Sequence, residues 1–297
     1  MKISTVCLSS CCGCHMALVN LGEDLLGPLT SAELTYSPVL TDAKKIGRCD
    51  LALVEGGVRT DEDVRVLKEL RQHAKMLVAL GTCSSFGGIP GLGSAHATLD
   101  LLMEAYTDKY RPENTTQLRP REEPIDAQVT VDYYIPGCPP PLPILGSVLT
   151  CLFQGQEPPR VDLPVCAECQ RVARKEVQRE IKRTLNTVPE KEECLLSQGY
   201  ICLGSVSRGG CEAPCTHAGV PCLGCRGPID RVFTESTHGI LYDLVRRTSH
   251  FTGMTEKEVE EKLEDILHTF YAFTLPVKEI RKKDRERTWA LIHRIEV

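Results

Sequence analysis

The sequence has no excess of basic residues. Its 35 lysines and arginines stand against 40 aspartates and glutamates, for a net charge of −5 and a pI near 6.0. A general nucleic-acid binder needs a basic footprint to displace counterions, so that class is excluded. No run of about eighteen apolar residues occurs, so no membrane-spanning segment is expected. The N-terminus, Met1-Lys2-Ile3-Ser4-Thr5-Val6-Cys7, is too poor in apolar residues for a signal peptide, lacks a twin-arginine leader, and reads as a strand. No internal repeat is evident. The expectation is a cytoplasmic chain.

Cysteine is what the sequence has in abundance, with sixteen in 297 residues. In a cytoplasmic chain, thiolate ligation is a commoner use for so many cysteines than disulfides. Hydrophobic residues make up 42%, enough for a sizeable core, and the length suits two domains or one large one.

About the first 155 residues read as α/β. Apolar runs at Ile3–Leu8, Leu51–Val54 and Met76–Leu80 have strand length, and each ends in a small or glycine-rich turn. Thr60 is placed to cap a helix over Asp61–Arg71, where Val64, Leu67 and Leu70 keep a 3–4 spacing. Alternating strands and helices imply a parallel sheet, whose ligand chemistry gathers at the carboxyl ends of the strands. Residues 107–128 read as a polar, proline-rich excursion before a strand at Val129–Ile135. A helix over Leu142–Phe153 follows, then a linker at Gly155–Pro159. Beyond it, the segment Cys166–Cys225 holds eight cysteines in 60 residues, with one charged helix expected from about Glu168 to Leu185. Such a domain is organised by ligation rather than by a large core. The tail from about Pro228 reads as helical. Thr255 and Glu258 fit a capping box, and Val259, Leu263, Ile266, Leu267 and Phe270 follow on one face.

The cysteines fall into constellations. Cys11 and Cys14 form a C-x-x-C pair, whose spacing lets two sulfurs face one centre; alone it serves zinc, thiol redox chemistry and iron–sulfur clusters alike. Cys83 follows an apolar strand, and Cys138 is held stiffly by flanking prolines. These four make one four-thiolate site. Cys166, Cys169, Cys194, Cys202, Cys211, Cys215, Cys222 and Cys225 make two more, and spacing alone does not choose between zinc and iron. Cys7, Cys12, Cys49 and Cys151 are left over; Cys7, Cys49 and Cys151 lie in apolar stretches and read as core, and Cys12 as a packing or supporting group.

The order C-x-x-C, Gly81-Thr82-Cys83, Pro136-Gly137-Cys138-Pro139-Pro140 resembles the small subunits of nickel–iron hydrogenases. Val54-Glu55-Gly56-Gly57 looks like that family's glutamate-bearing strand end, and the segment ending Pro221-Cys222-Leu223-Gly224-Cys225-Arg226-Gly227-Pro228 resembles its second domain. The likeness covers about residues 1–230. Within the family the chain looks closest to the gamma subunit of the methyl-viologen-reducing, non-deazaflavin-reducing type that works with heterodisulfide reductase. The resemblance implies a flavodoxin-like domain over 1–155 and a smaller iron–sulfur domain with few regular elements and a helical tail over 156–297. It implies three 4Fe–4S clusters: Cys11, Cys14, Cys83 and Cys138 hold the one nearest the nickel–iron centre, Cys211, Cys215, Cys222 and Cys225 the middle one, and Cys166, Cys169, Cys194 and Cys202 the outer one. An interleaved division of the last eight, or Cys12 in place of Cys11 or Cys14, stays open. Many relatives have a histidine where this chain has Cys166 and a 3Fe–4S centre where it offers Cys215; all-thiolate sets tend to lower the potential.

The implied partners are a nickel–iron large subunit, which carries the hydrogen chemistry, an iron–sulfur delta subunit and a heterodisulfide reductase complex. No residue here is expected to transform substrate. Glu55 has two readings: a carboxylate near the first cluster that assists proton exit, or an acceptor at a helix end or turn. His15 reads as a surface residue rather than a hydrogen-bond donor to the cluster. Two rivals remain: a subunit of a respiratory-complex-like oxidoreductase, which would leave the eight later cysteines unused, and a zinc-binding adaptor without redox role.

Overall fold

A computed structural model describes residues 1–22, 32–106, 116–174, 180–184, 186–235 and 239–280. The chain divides into two units, Met1–Pro159 with Phe273–Val277, and Arg160–Ala272 with the residues from Lys278 onward. The return of Phe273–Val277 to the first unit has no signature in the sequence.

The first unit is built on a five-stranded sheet of β1 (Lys2–Cys7), β2 (Glu33–Tyr36), β3 (Cys49–Glu55), β5 (Ala74–Leu80) and β7 (Tyr133–Ile135), in the order β2-β1-β3-β5-β7. Every pairing is parallel. Such strands are covered on both faces, which explains their nearly unbroken apolar sequences. Ile3, Leu51, Leu53, Val78, Leu80 and Ile135 face one side, against α1 (Gly13–Asn20) and α5 (Leu142–Phe153). Val6, Ala52, Val54, Leu77 and Ala79 face the other, against Leu67 and Leu70 of α2 (Asp61–His73). Thr60 caps α2 in a reciprocal box: its hydroxyl accepts from Asp63 N at 3.0 Å, and the Asp63 carboxylate accepts from Thr60 N at 2.8 Å.

Two local expectations change. The last strand is Tyr133–Ile135 rather than Val129–Ile135, because Val129 N closes a turn onto Ile125 O and the Asp132 carboxylate takes Leu77 N at 2.6 Å, which a ladder would otherwise use. The excursion, described from residue 116, contains β6 (Leu118–Glu123), antiparallel to β4 (Val58–Thr60). Its charged, proline-containing sequence hid a two-stranded ribbon.

The register sets the site. Cys7 pairs with Glu55, Glu55 with Leu80, and Leu80 with Ile135. Four strands therefore end level, and the turns that follow them leave the sheet at one edge.

The second unit has short helices, α6 (Pro214–His217), α7 (Asp230–Thr234), α8 (Ile240–Thr252), α9 (Glu256–Lys262) and α10 (Ile266–Phe270). Its core includes Cys202 and Cys222 beside Val165, Leu195, Leu196 and Tyr200. The helix expected over 168–185 is absent among its described residues. Val172 instead bridges Glu193, and Lys182 bridges Tyr200. Alternating charges supply side-chain pairs but no apolar stripe to pack, so backbone pairing with the 192–200 segment wins. The tail helix after Thr255 is two helices, broken at Leu263 and restarted at Asp265, whose backbone is left-handed and whose carboxylate caps α10. The stripe is still buried at Val259, Leu263, Ile266 and Phe270.

Candidate metal centres

Cys11 and Cys14 lie on the turn after β1 and the first turn of α1, Cys83 in the short helix α3 (Thr82–Phe86) after β5, and Cys138 after β7. Thr82 joins the last two loops: its N–H donates to Gly137 O at 3.0 Å, and its hydroxyl accepts from Gly137 N at 2.9 Å. Burial pushes the Cys14 and Cys138 thiols up and takes Cys83 to about 12. Charge on the neighbouring cysteines adds to each: Cys83, Cys138 and Cys11 act on Cys14, Cys138 and Cys11 on Cys83, and Cys11 on Cys138. Four thiols are thus close enough for their ionised forms to repel. Side chains are kept out of the space between them by glycine. A Cβ on Gly81 would overlap Cys14 Sγ, and one on Gly88 would meet Cys83 Sγ at 2.5 Å.

Cys12 belongs elsewhere. It precedes α1 with a left-handed backbone, φ 61°, and its Sγ lies 2.9 Å from Cys7 Sγ. Cys7 is half-buried and also meets Ser10 Oγ at 3.0 Å, so it is one of a thiol pair at the sheet edge rather than simple core. Cys49 is buried and Cys151 half-buried.

Glu55 and His15 are both 1% exposed, so His15 is not a surface residue. The first turn of α1 packs onto the ends of β1 and β3, which encloses the ring. The Glu55 carboxylate accepts from Cys14 N at 3.1 Å, His15 N at 2.9 Å and His15 Nδ1, while His15 Nε2 meets Thr5 Oγ1 at 2.9 Å. Burial alone would raise the Glu55 pKa. The His15 ring and the two backbone N–H groups outweigh it and hold the carboxyl below its usual range.

In the second unit, burial and then charge on Cys202, Cys194 and Cys169 push Cys166 up to about 12, with Arg247 opposing. Burial also raises Cys202, on which Cys194 and Cys169 act in the same sense. Cys166, Cys169, Cys194 and Cys202 therefore form one neighbourhood. Cys222 is raised by burial, then by Cys202 and more weakly by Cys225. Cys211 and Cys225 both act on the buried Arg226. Cys215 is exposed on α6, and its carbonyl accepts from Val220 N at 2.8 Å, tying it to the Cys222 segment. The two neighbourhoods touch where Cys222 N donates to Cys202 Sγ at 3.2 Å.

Two carboxylates of the site were not anticipated from sequence. Glu168 accepts from Gly210 N and, at 2.8 Å, from Glu212 N, so it grips the backbone on both sides of Cys211. Glu122 on β6 is 1% exposed and raised by burial to about 7. Neither carries a motif; a C-x-E-C reading of Cys166–Cys169 was the only available hint for Glu168.

No helix among the described residues is long and apolar enough to cross a membrane. Residues 11–152 match the family model of the NADH ubiquinone oxidoreductase 20 kDa subunit, a segment that holds the first four-thiol set and stops before Cys166. The vhu F420-non-reducing hydrogenase of Methanococcus voltae has a subunit that is 35% identical over 95% of this chain and 98% of its own length. The iron–sulfur subunit of the F420-non-reducing hydrogenase of Archaeoglobus profundus is 34% identical over 77% of this chain and 83% of its own. A crystal structure of NAD+-reducing [NiFe]-hydrogenase in the H2-reduced state contains a chain 37% identical, with a TM-score of 0.51, covering 54% of this chain and 94% of that one. Likeness that runs through both units, at this identity and over nearly whole lengths, places the chain among the iron–sulfur subunits of F420-non-reducing hydrogenases, a family of nickel–iron hydrogenase small subunits.

Proposed function

We propose that this chain is the electron conduit of a cytoplasmic nickel–iron hydrogenase. It takes electrons from hydrogen oxidation on a separate large subunit and passes them, through an iron–sulfur delta subunit, towards a heterodisulfide reductase-type complex. Cys11, Cys14, Cys83 and Cys138 would hold one 4Fe–4S cluster, Cys211, Cys215, Cys222 and Cys225 a second, and Cys166, Cys169, Cys194 and Cys202 a third. The carrying observation is the convergence of four thiols from three level strand ends. Their mutual repulsion, in a space cleared by glycine, suits an iron core that supplies the missing positive charge. When bound, each cluster supplies a one-electron store. The chain's own part is to hold the sulfurs, exclude water and donate N–H groups nearby. Domains 1–155 and 156–297 then carry one and two clusters.

Metal and acid-labile sulfide, zinc included, test this reading after anaerobic purification. About twelve irons and twelve sulfides per chain are expected. Zinc without sulfide would turn the same cysteines into structural sites and remove the conduit.

Of the two readings of Glu55, we infer the helix-end acceptor. A carboxyl held below its usual range is a poor proton relay near neutral pH. Glu55→Gln leaves one buried N–H short of an acceptor, a loss of roughly 1.5–3 kcal/mol for a charged partner. Lower thermal stability and lower iron occupancy are expected. Full iron with slowed hydrogen turnover would return the proton role to Glu55.

A further inference from the structure

Glu122 is a buried carboxyl that the conduit reading leaves without a task. It reaches from β6 to the loop that closes the sheet edge. There Ser9 and Gly57 exchange paired backbone hydrogen bonds of 3.1 and 3.0 Å across the ends of β1 and β3. One carboxylate oxygen accepts from Ser9 Oγ at 3.2 Å, and the other has no hydrogen-bond partner. A Cβ on Gly57 would overlap that second oxygen, so the carboxyl occupies the space the glycine leaves. Ser9 is half-buried and links the group outward.

The charges around it are few. Arg59 on β4 favours its ionisation and Asp63 on α2 opposes it. On its own strand, Arg119 is engaged by Asp61 and Glu123, and Arg121 completes the set. The turn Ile89–Ala95 has no titratable side chain, and α4 (Thr98–Ala105) carries Asp100 and Glu104, neither of which acts on it. Burial dominates, and the carboxyl is half-protonated near pH 7. Charge on Glu122 also opposes negative charge at Cys83. Coupling of this kind is reciprocal, so negative charge added at the Cys83 end raises the proton affinity of the carboxyl.

We propose that Glu122 binds one proton from solvent when the group held by Cys11, Cys14, Cys83 and Cys138 gains an electron, and releases it when the electron leaves. The electron comes from hydrogen oxidation, the proton from water, and no bond other than the carboxyl O–H forms or breaks. The inference rests on the cluster reading above. It makes Glu122 a positioning residue for charge, setting the energy at which the electron rests there.

The test is a potentiometric titration followed by electron paramagnetic resonance from pH 6 to 9, on the anaerobically purified protein with its copurifying subunits. The relevant signal is the one that the Cys138→Ser variant lacks. In the wild type, its potential is expected to fall by about 59 mV for each tenfold drop in proton concentration, over a window around neutrality. Glu122→Gln is expected to flatten that slope at unchanged iron content. Arg59→Gln, which removes the cation favouring ionisation, is expected to move the sloping window to higher pH, and it stands as the test if the first variant does not fold. A wild-type slope retained in Glu122→Gln, or a window unmoved in Arg59→Gln, overturns the proposal and leaves the cluster reading in place. A wild type with no cluster signal overturns both.

Discussion

Replacing Cys138 with serine is expected to remove about four irons per chain and to abolish hydrogen-dependent dye reduction. Of the first set, Cys138 is an exposed thiol on a loop clamped to Thr82 by two hydrogen bonds, so its loss leaves the sheet untouched. What fails is the charge balance. Serine is a far weaker anion than cysteine at neutral pH, and the remaining thiols are pushed up by burial, Cys83 to about 12. Three such groups do not stay ionised without the fourth ligand to complete the site. Iron analysis and dye reduction on the same preparation check the outcome. Retention of both would show that the first set is not a cluster site.

Gly81→Ala is expected to give the same iron loss without removing any thiol. Gly81 has φ 90° and ψ 171°, a region essentially reserved for glycine. Strain there costs on the order of 1–3 kcal/mol, and the new Cβ would fall on Cys14 Sγ. Gly155→Ala is the matched control. Its φ is also positive, at 68°, but nothing lies within 4 Å of its Cβ position. Both variants should unfold at lower temperature, and only Gly81→Ala should lose iron. Equal iron in the two would mean that the space beside Cys14 is not needed.

Much of the first unit is legible in the sequence because its signals are local. The buried strands are apolar throughout, Thr60 stands three residues before Asp63, and Leu142–Phe153 is an apolar run introduced by prolines. The cysteine sets are legible because chelation constrains spacing. Three features are not. His15 looks like a polar residue beside a ligand, and only the packing of α1 onto the sheet edge buries it. Glu122 sits in a charged stretch where nothing distinguishes it from Glu123; its burial follows from β6 pairing with β4, an antiparallel contact between residues some sixty positions apart. The charged segment after Glu168 has helical composition, yet its backbone partners lie at 192–200. Each case turns on a distant contact, which composition and periodicity do not encode.

The level ending of the strands also has a consequence for the order of synthesis. A ribosome releases Cys11 and Cys14 early, but their register mates arrive in sequence, β3, then β5, then β7, and Cys138 follows the last of them. Until β7 docks on β5, a nascent chain presents three thiols and an open sheet edge. The other eight cysteines all lie between residues 166 and 225, a stretch that emerges only after the first sheet can close. At the pace of translation, about 5–20 residues per second, the first pocket stands complete for seconds before the rest. Vectorial synthesis therefore separates the sites in time, and iron delivered to the growing chain meets the sheet-edge pocket first.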